Sequence, residues 1–143
     1  MGTPNRRSLI VLAVAAVLLL AAGCGGDDEG SGGEGGPDLS SYDFENATGE
    51  TEIEVEVKDN TFGPSFVEIE PGTTVTWENY GLNDHNITPI DADFEGVPTD
   101  QFGPGKVYSF TFDEEGDYAY YCTLHGSKSL NGQAGAIRVV SAE

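Results

Sequence analysis

The stretch Thr51-Glu52-Ile53-Glu54-Val55-Glu56-Val57-Lys58 alternates polar and apolar residues without a break. A period of two puts every second side chain on one face, which predicts a half-buried strand and excludes an amphipathic helix. The same texture recurs in short pieces. Phe66-Val67-Glu68-Ile69 reads as a second strand, closed by the turn pair Pro71-Gly72. Residues 73–79 follow, with Val75 and Trp77 on one face. Residues 107–112 turn Tyr108, Phe110 and Phe112 inward, residues 117–122 align Tyr118, Tyr120 and Cys122, and residues 134–140 close the pattern. Residues 80–105 are irregular, with Pro89, Pro98 and Pro104, and are broken by the short extension Asn86-Ile87-Thr88. No helical period of useful length occurs after residue 23. Short strands at this spacing predict an all-β, antiparallel sandwich or barrel, and residues 50–143 suit one such domain.

The first 49 residues have a different character. Arg6 and Arg7 precede an unbroken apolar run of 14 residues, 9–22. A membrane-spanning helix needs about 20 apolar residues, whereas the apolar region of an export signal needs about 7–15. Small residues lead into Cys24 as Ala21-Ala22-Gly23-Cys24. This resembles the bacterial lipobox, although leucine is commoner where Ala21 stands. The resemblance implies a signal peptide over residues 1–23, cleavage before Cys24, and a lipid on Cys24. An ordinary signal peptide with a leftover cysteine is the alternative. Residues 24–49, rich in glycine and acids, read as a flexible tether whose only aromatics, Tyr42 and Phe44, are candidates to pack on the domain edge. The expected location is the extracytoplasmic face of the cell membrane, lipid-anchored. Two arginines leave Sec and twin-arginine export equally open.

Charge narrows the partners. The chain has 25 acidic and six basic residues, a formal net charge of −19. Loss of residues 1–23 leaves Lys58, Lys106, Lys128 and Arg138 against all 25 acids, a charge of −21. Such a chain has no footprint for a phosphate backbone, so nucleic-acid binding is excluded. Two cysteines exclude a disulfide-rich scaffold and any zinc site needing several thiolates. With Cys24 lipidated, Cys122 is the one free thiol in a compartment where free thiols are at risk, and that calls for a chemical reason.

The two histidines supply one. His125 follows Cys122 by three residues, in Tyr120-Tyr121-Cys122-Thr123-Leu124-His125-Gly126 at the end of a strand. That spacing brings a thiolate and an imidazole within reach of one ion. His85 lies in the loop after the strand 73–79. Loops far apart in sequence can meet at one end of a sandwich. Two imidazoles and a thiolate in a trigonal set, with a weak axial donor, form the blue-copper arrangement.

Around these residues the sequence resembles the cupredoxins, the plastocyanin, amicyanin and halocyanin group. The likeness spans roughly residues 50–143. It includes Phe62-Gly63-Pro64, Pro71-Gly72-Thr73-Thr74-Val75-Thr76-Trp77-Glu78-Asn79, Asp84-His85-Asn86-Ile87, and the run from Gly116 through Cys122 to His125. The resemblance implies a Greek-key β-sandwich holding one mononuclear type 1 copper ion. It implies His85, Cys122 and His125 as the three strong ligands. It implies that Asn86 ties the two ligand loops together near the cysteine. It further implies that His125 reaches the surface as the shortest exit for an electron, with Tyr121 on a second, longer route.

The axial position departs from the family pattern. Relatives place a methionine after the second histidine, in a Met-x-Gly-x-Ile/Val frame, but the only methionine here is Met1. Gln133-Ala134-Gly135-Ala136-Ile137 occupies that frame, so the resemblance puts Gln133 in the axial place, as in the stellacyanin branch. Leu130 is the rival by spacing, but leucine cannot coordinate and its flanks do not match.

The resulting expectation is a membrane-tethered one-electron carrier, monomeric, not an enzyme by itself, meeting redox partners with basic docking surfaces. The alternative is a copper-binding or delivery lipoprotein without electron traffic. A third class is an adhesive sandwich with a vestigial site. A multicopper oxidase or nitrite reductase needs further histidines.

Overall fold

The computed structural model describes residues 35–142. The expected signal peptide over 1–23, Cys24, and the first part of the tether lie outside the described residues. Among the described residues nine strands follow one another: β1 (Glu45–Asn46), β2 (Glu52–Lys58), β3 (Thr61–Gly63), β4 (Phe66–Ile69), β5 (Thr73–Asn79), β6 (Thr88–Pro89), β7 (Val107–Phe112), β8 (Gly116–Gly126) and β9 (Gly132–Val139), with one 3-10 turn at Thr99–Gln101. They form two sheets, β1-β4-β9-β8-β6 and β3-β2-β5-β7.

The sandwich is as the alternation predicts, but its pairing is mixed. β2/β3, β5/β7, β6/β8 and β8/β9 pair antiparallel. β1/β4, β2/β5 and β4/β9 pair parallel. The cause is strand crossing. After the β2–β3 hairpin the chain moves to the other sheet as β4 and returns as β5 beside β2, which fixes a parallel neighbour. Period-two patterning specifies which face a residue takes and is silent on the direction of the partner strand.

The inner faces carry the main core. β5 alternates buried positions at Thr73, Val75, Trp77 and Asn79. Trp77 is wholly buried; its ring stacks against Tyr108 with centroids 5.6 Å apart and meets Tyr120 edge-on at 5.4 Å. Val55, Val57, Val67, Ile69, Ile137 and Val139 fill in around this aromatic centre, and Cys122 belongs to the same cluster. Aromatic pairs in such geometries add to the transfer energy of their buried area.

Part of the expected tether is folded onto the domain. Leu39 is buried in a second cluster with Ile90, Ala119, Leu130, Ala134 and Ala136. Tyr42 stacks on Phe66 with centroids 4.4 Å apart, and Phe44 meets the same ring edge-on. The Arg138 guanidinium lies 4.0 Å over the Phe44 ring. β1 then joins the sheet beside β4. The physical reason is the run of alanines on the outward face of β8 and β9: small side chains leave a hollow that Leu39 fills. Residues 39–46 therefore act as a strap over the outer sheet, where the sequence pattern predicts free tether.

This packing has a measurable consequence. Leu39→Ala is expected to lower the unfolding free energy in a urea titration by about 2–3 kcal/mol, as for other buried leucines. A freely moving tether residue would leave the midpoint unmoved.

Candidate metal centre

β8 is the element on which the centre depends. In a regular strand, residues three apart point to opposite faces. Cys122 and His125 are three apart within β8, yet both face the same cluster. The register between β8 and β9 shifts between Tyr121 and Gly126, so the two ligand positions sit on an irregular, bulged stretch. A bulge adds a residue to one strand and re-aims the side chains beyond it. Two glycines permit the close approach there. A Cβ on Gly126 would collide with the Gln133 backbone, and one on Gly132, which has φ +75°, would collide with the His125 carbonyl.

His85 arrives on the loop after β5, and polar side chains shape that loop. Asn79, buried at the end of β5, donates from Nδ2 to the carbonyls of Asn83 and Phe102, each at 3.0 Å. Its Oδ1 accepts the Gly81 N–H at 2.9 Å. The His85 N–H donates to the Phe102 carbonyl at 3.2 Å. Asp59, from the β2–β3 turn, accepts the N–H groups of Leu82 at 2.8 Å and Asn83 at 3.2 Å through Oδ1. The Leu82 N–H, helped by Asn83, holds the Asp59 carboxyl below the ordinary carboxylate range against the opposing effect of burial.

The three candidate ligand atoms form a compact triangle. Cys122 Sγ lies 3.7 Å from His85 Nδ1 and 3.9 Å from His125 Nδ1, and the two nitrogens are 3.3 Å apart. The centre of such a triangle is about 2.1 Å from each corner, within the range of about 2.0–2.3 Å that imidazole and thiolate donors take up around zinc, a comparable first-row ion. Among the described residues this is the one group of three or more such donors gathered within 4.8 Å. His85 and Cys122 are wholly buried, while His125 is half-buried. Burial is the main reason the His85 pKa falls below the ordinary imidazole value; the neighbouring His125 adds to the fall and Asp59 opposes it. A neutral imidazole is the form that offers a lone pair to a metal.

Gln133, at the start of β9, is wholly buried beside this triangle. Its Nε2 donates to the carbonyls of Lys58 at 2.7 Å and Thr61 at 3.3 Å. Its Oε1 is buried and has no hydrogen-bond partner, and the side chain is close enough to His85 to influence its protonation. An unpartnered buried amide oxygen costs free energy unless something accepts its lone pair. Two nitrogens, a thiolate and a free amide oxygen are a donor set that fits copper. Leu130 lies elsewhere, in the outer cluster with Leu39 and Ile90.

Asn86 spans the two ligand segments. Its Nδ2 donates to the hydroxyls of Thr99 and Thr123, each at 2.8 Å, and its Oδ1 accepts the Thr123 N–H at 3.0 Å. Thr123 directly follows Cys122, so this side chain fastens the His85 loop to the cysteine. Tyr121 faces the outer cluster, on the side of β8 opposite Cys122. Asn79 and Asp59 were not legible as parts of the site from spacing. Their only signals are positional: an asparagine closing a strand, and an aspartate directly after one.

The comparisons with known proteins agree with this geometry. The family model for copper binding proteins of the plastocyanin/azurin family matches residues 49–137. The chain is 37% identical over 79 residues to plastocyanin of Scenedesmus fuscus, covering 50% of this chain and 81% of that one. Among solved structures it is similar to a novel purple cupredoxin from Nitrosopumilus maritimus, with a TM-score of 0.52, 28% identity, and coverage of 62% of this chain and 99% of the other. It is also similar to a Met→Gln variant of amicyanin in its Cu(I) form, with a TM-score of 0.52, 27% identity, and coverage of 63% and 83%. A sandwich fold, a triangle of two imidazoles and a thiolate suited to one type 1 copper ion, and a family match over most of the domain lead to one conclusion: the chain belongs to the plastocyanin/azurin family of copper-binding proteins.

Proposed function

We propose that this protein is a one-electron carrier held at a membrane surface through a lipid on Cys24, with His85, Cys122 and His125 as the strong copper ligands and Gln133 as the axial one. The observation that carries the reading is the His85–Cys122–His125 triangle, with the otherwise unpartnered Gln133 amide oxygen beside it. A copper ion held there supplies one reversible electron by cycling between Cu(I) and Cu(II).

The residues divide the remaining work. Cys122 and His85 are sealed from solvent, which excludes water from the centre and keeps reorganisation small. Asn86 clamps the two ligand segments, so the triangle keeps its shape when the charge changes. His125 is the ligand that approaches the surface, next to exposed Leu124, and is the short way out for an electron. Tyr121, beside Cys122, offers the longer way. Gln133 is held by its own Nε2 on two carbonyls, so its oxygen keeps a fixed direction. The net negative charge favours docking with basic partners.

The test is copper addition to the purified chain. An intense thiolate-to-copper charge-transfer band is expected, and Cys122→Ser should abolish it. Copper uptake without the band would favour storage or delivery over electron transfer. A redox titration tests the axial assignment. An amide oxygen favours oxidised copper more than a thioether does, so Gln133→Met should raise the reduction potential, whereas Leu130→Met should leave it unchanged. The reverse pattern would move the axial position to Leu130. For the anchor, Cys24→Ser should shift the protein from the membrane to the soluble fraction with the copper band intact; unchanged fractionation would reject lipidation at Cys24.

A further inference from the structure

His85 must present Nδ1 to the triangle with its lone pair free. In a neutral imidazole, the nitrogen that carries the proton is set by what the other nitrogen meets. His85 Nε2 is buried, has no hydrogen-bond partner, and lies 3.7 Å from Asp59 Oδ1. Asn79 Oδ1, close by, already accepts the Gly81 N–H. Gly81 keeps the approach open: a Cβ there would press on Asp59 Oδ1 and come within 3.1 Å of His85 Nε2. The Asp59 carboxylate is fixed in turn by the N–H groups of Leu82 and Asn83, on the same loop that carries His85.

We propose that Asp59 is a positioning residue for His85: it keeps the imidazole proton on Nε2 and places a fixed negative charge one imidazole ring away from the metal. This rests on the copper reading above and goes beyond it. At 3.7 Å the contact is longer than a hydrogen bond of about 2.7–3.2 Å, so it acts as a charge–dipole contact that orients the ring. A nearby carboxylate stabilises the more positive state of the centre and thus lowers its reduction potential. The same turn between β2 and β3 supplies the Lys58 and Thr61 carbonyls that hold Gln133. One four-residue turn, 58–61, therefore reaches both His85, through Asp59, and Gln133, through Lys58 and Thr61.

The experiment compares the full chain with Asp59→Asn, Asp59→Ala and Asp84→Asn. Asp84 adjoins His85 in sequence, but its carboxylate lies against Gly103. Proton–nitrogen NMR on the copper-free protein should show His85 with its proton on Nε2. Asp59→Asn keeps an oxygen acceptor, so it should keep that tautomer, whereas Asp59→Ala should give a mixture. In the copper-loaded protein Asp59→Asn should shift the reduction equilibrium about threefold or more towards Cu(I), roughly 28 mV for one electron, and Asp84→Asn should shift it less. A His85 proton on Nδ1 in the parent, an unchanged tautomer in Asp59→Ala, or equal shifts from Asp59→Asn and Asp84→Asn would overturn the proposal. Absence of a charge-transfer band in the parent would reject the copper reading instead, and the tautomer measurement would still decide the role of Asp59.

Discussion

A β-strand cannot point residues i and i+3 the same way, and this centre needs both Cys122 and His125 on one side. The register shift in β8 between Tyr121 and Gly126 resolves that conflict. Tyr118 and Tyr120, upstream of it, and Cys122, at its start, follow the inward face and join the core. Downstream, the strand continues to Gly126 with His125 brought round to the cysteine. Without the shift, the imidazole would face away from the cysteine. The glycines at 126 and 132 follow from the same constraint, because the two strands close tightly just past the ligands.

Once β8 has set two corners of the triangle, the third must be carried by an irregular loop. A loop can hold a buried side chain in place only if its backbone groups are satisfied. Here buried amide side chains do that. Asn79 supplies the contacts that a missing strand neighbour would have made, and Asn86 links the loop to Thr99 and Thr123. Asp59 adds contacts from the β2–β3 turn. All of these groups are polar, and Asn79 and Asp59 sit where strands β5 and β2 end. The core proper is the rigid apolar block around Trp77, against which this polar end is fixed.

The outer sheet face has a separate logic. Alanines at 119, 134 and 136 make a shallow hollow, and the strap from Leu39 to Asn46 covers it with Leu39, Tyr42 and Phe44. Leu130 of the ligand loop and Tyr121 share this cluster. The strap therefore braces the back of the same segment whose front carries the metal ligands, and it joins the domain's beginning to its functional end.

Much of this was legible from residues alone. Alternation identified β2, β5 and β7 with their inward faces, because a period of two is a local property that burial on one side enforces. The chemistry of the donor set was legible too: one cysteine within the strand pattern, two histidines and no methionine beyond Met1 are facts of the sequence. Other features depended on contacts between distant segments. The parallel pairings arise from the order in which strands cross between sheets, which no single strand encodes. The packing of residues 39–46 depends on a hollow made by alanines some 80 to 100 residues further on. The approach of Asp59 to His85, and of Gln133 to the β2–β3 turn, joins positions 26 and 75 residues apart through a fold that only the complete sandwich creates. Local alternation and donor chemistry belong to the sequence; which distant polar groups meet at the buried end of the sandwich is decided by tertiary packing, because only the closed sandwich brings those groups to one place.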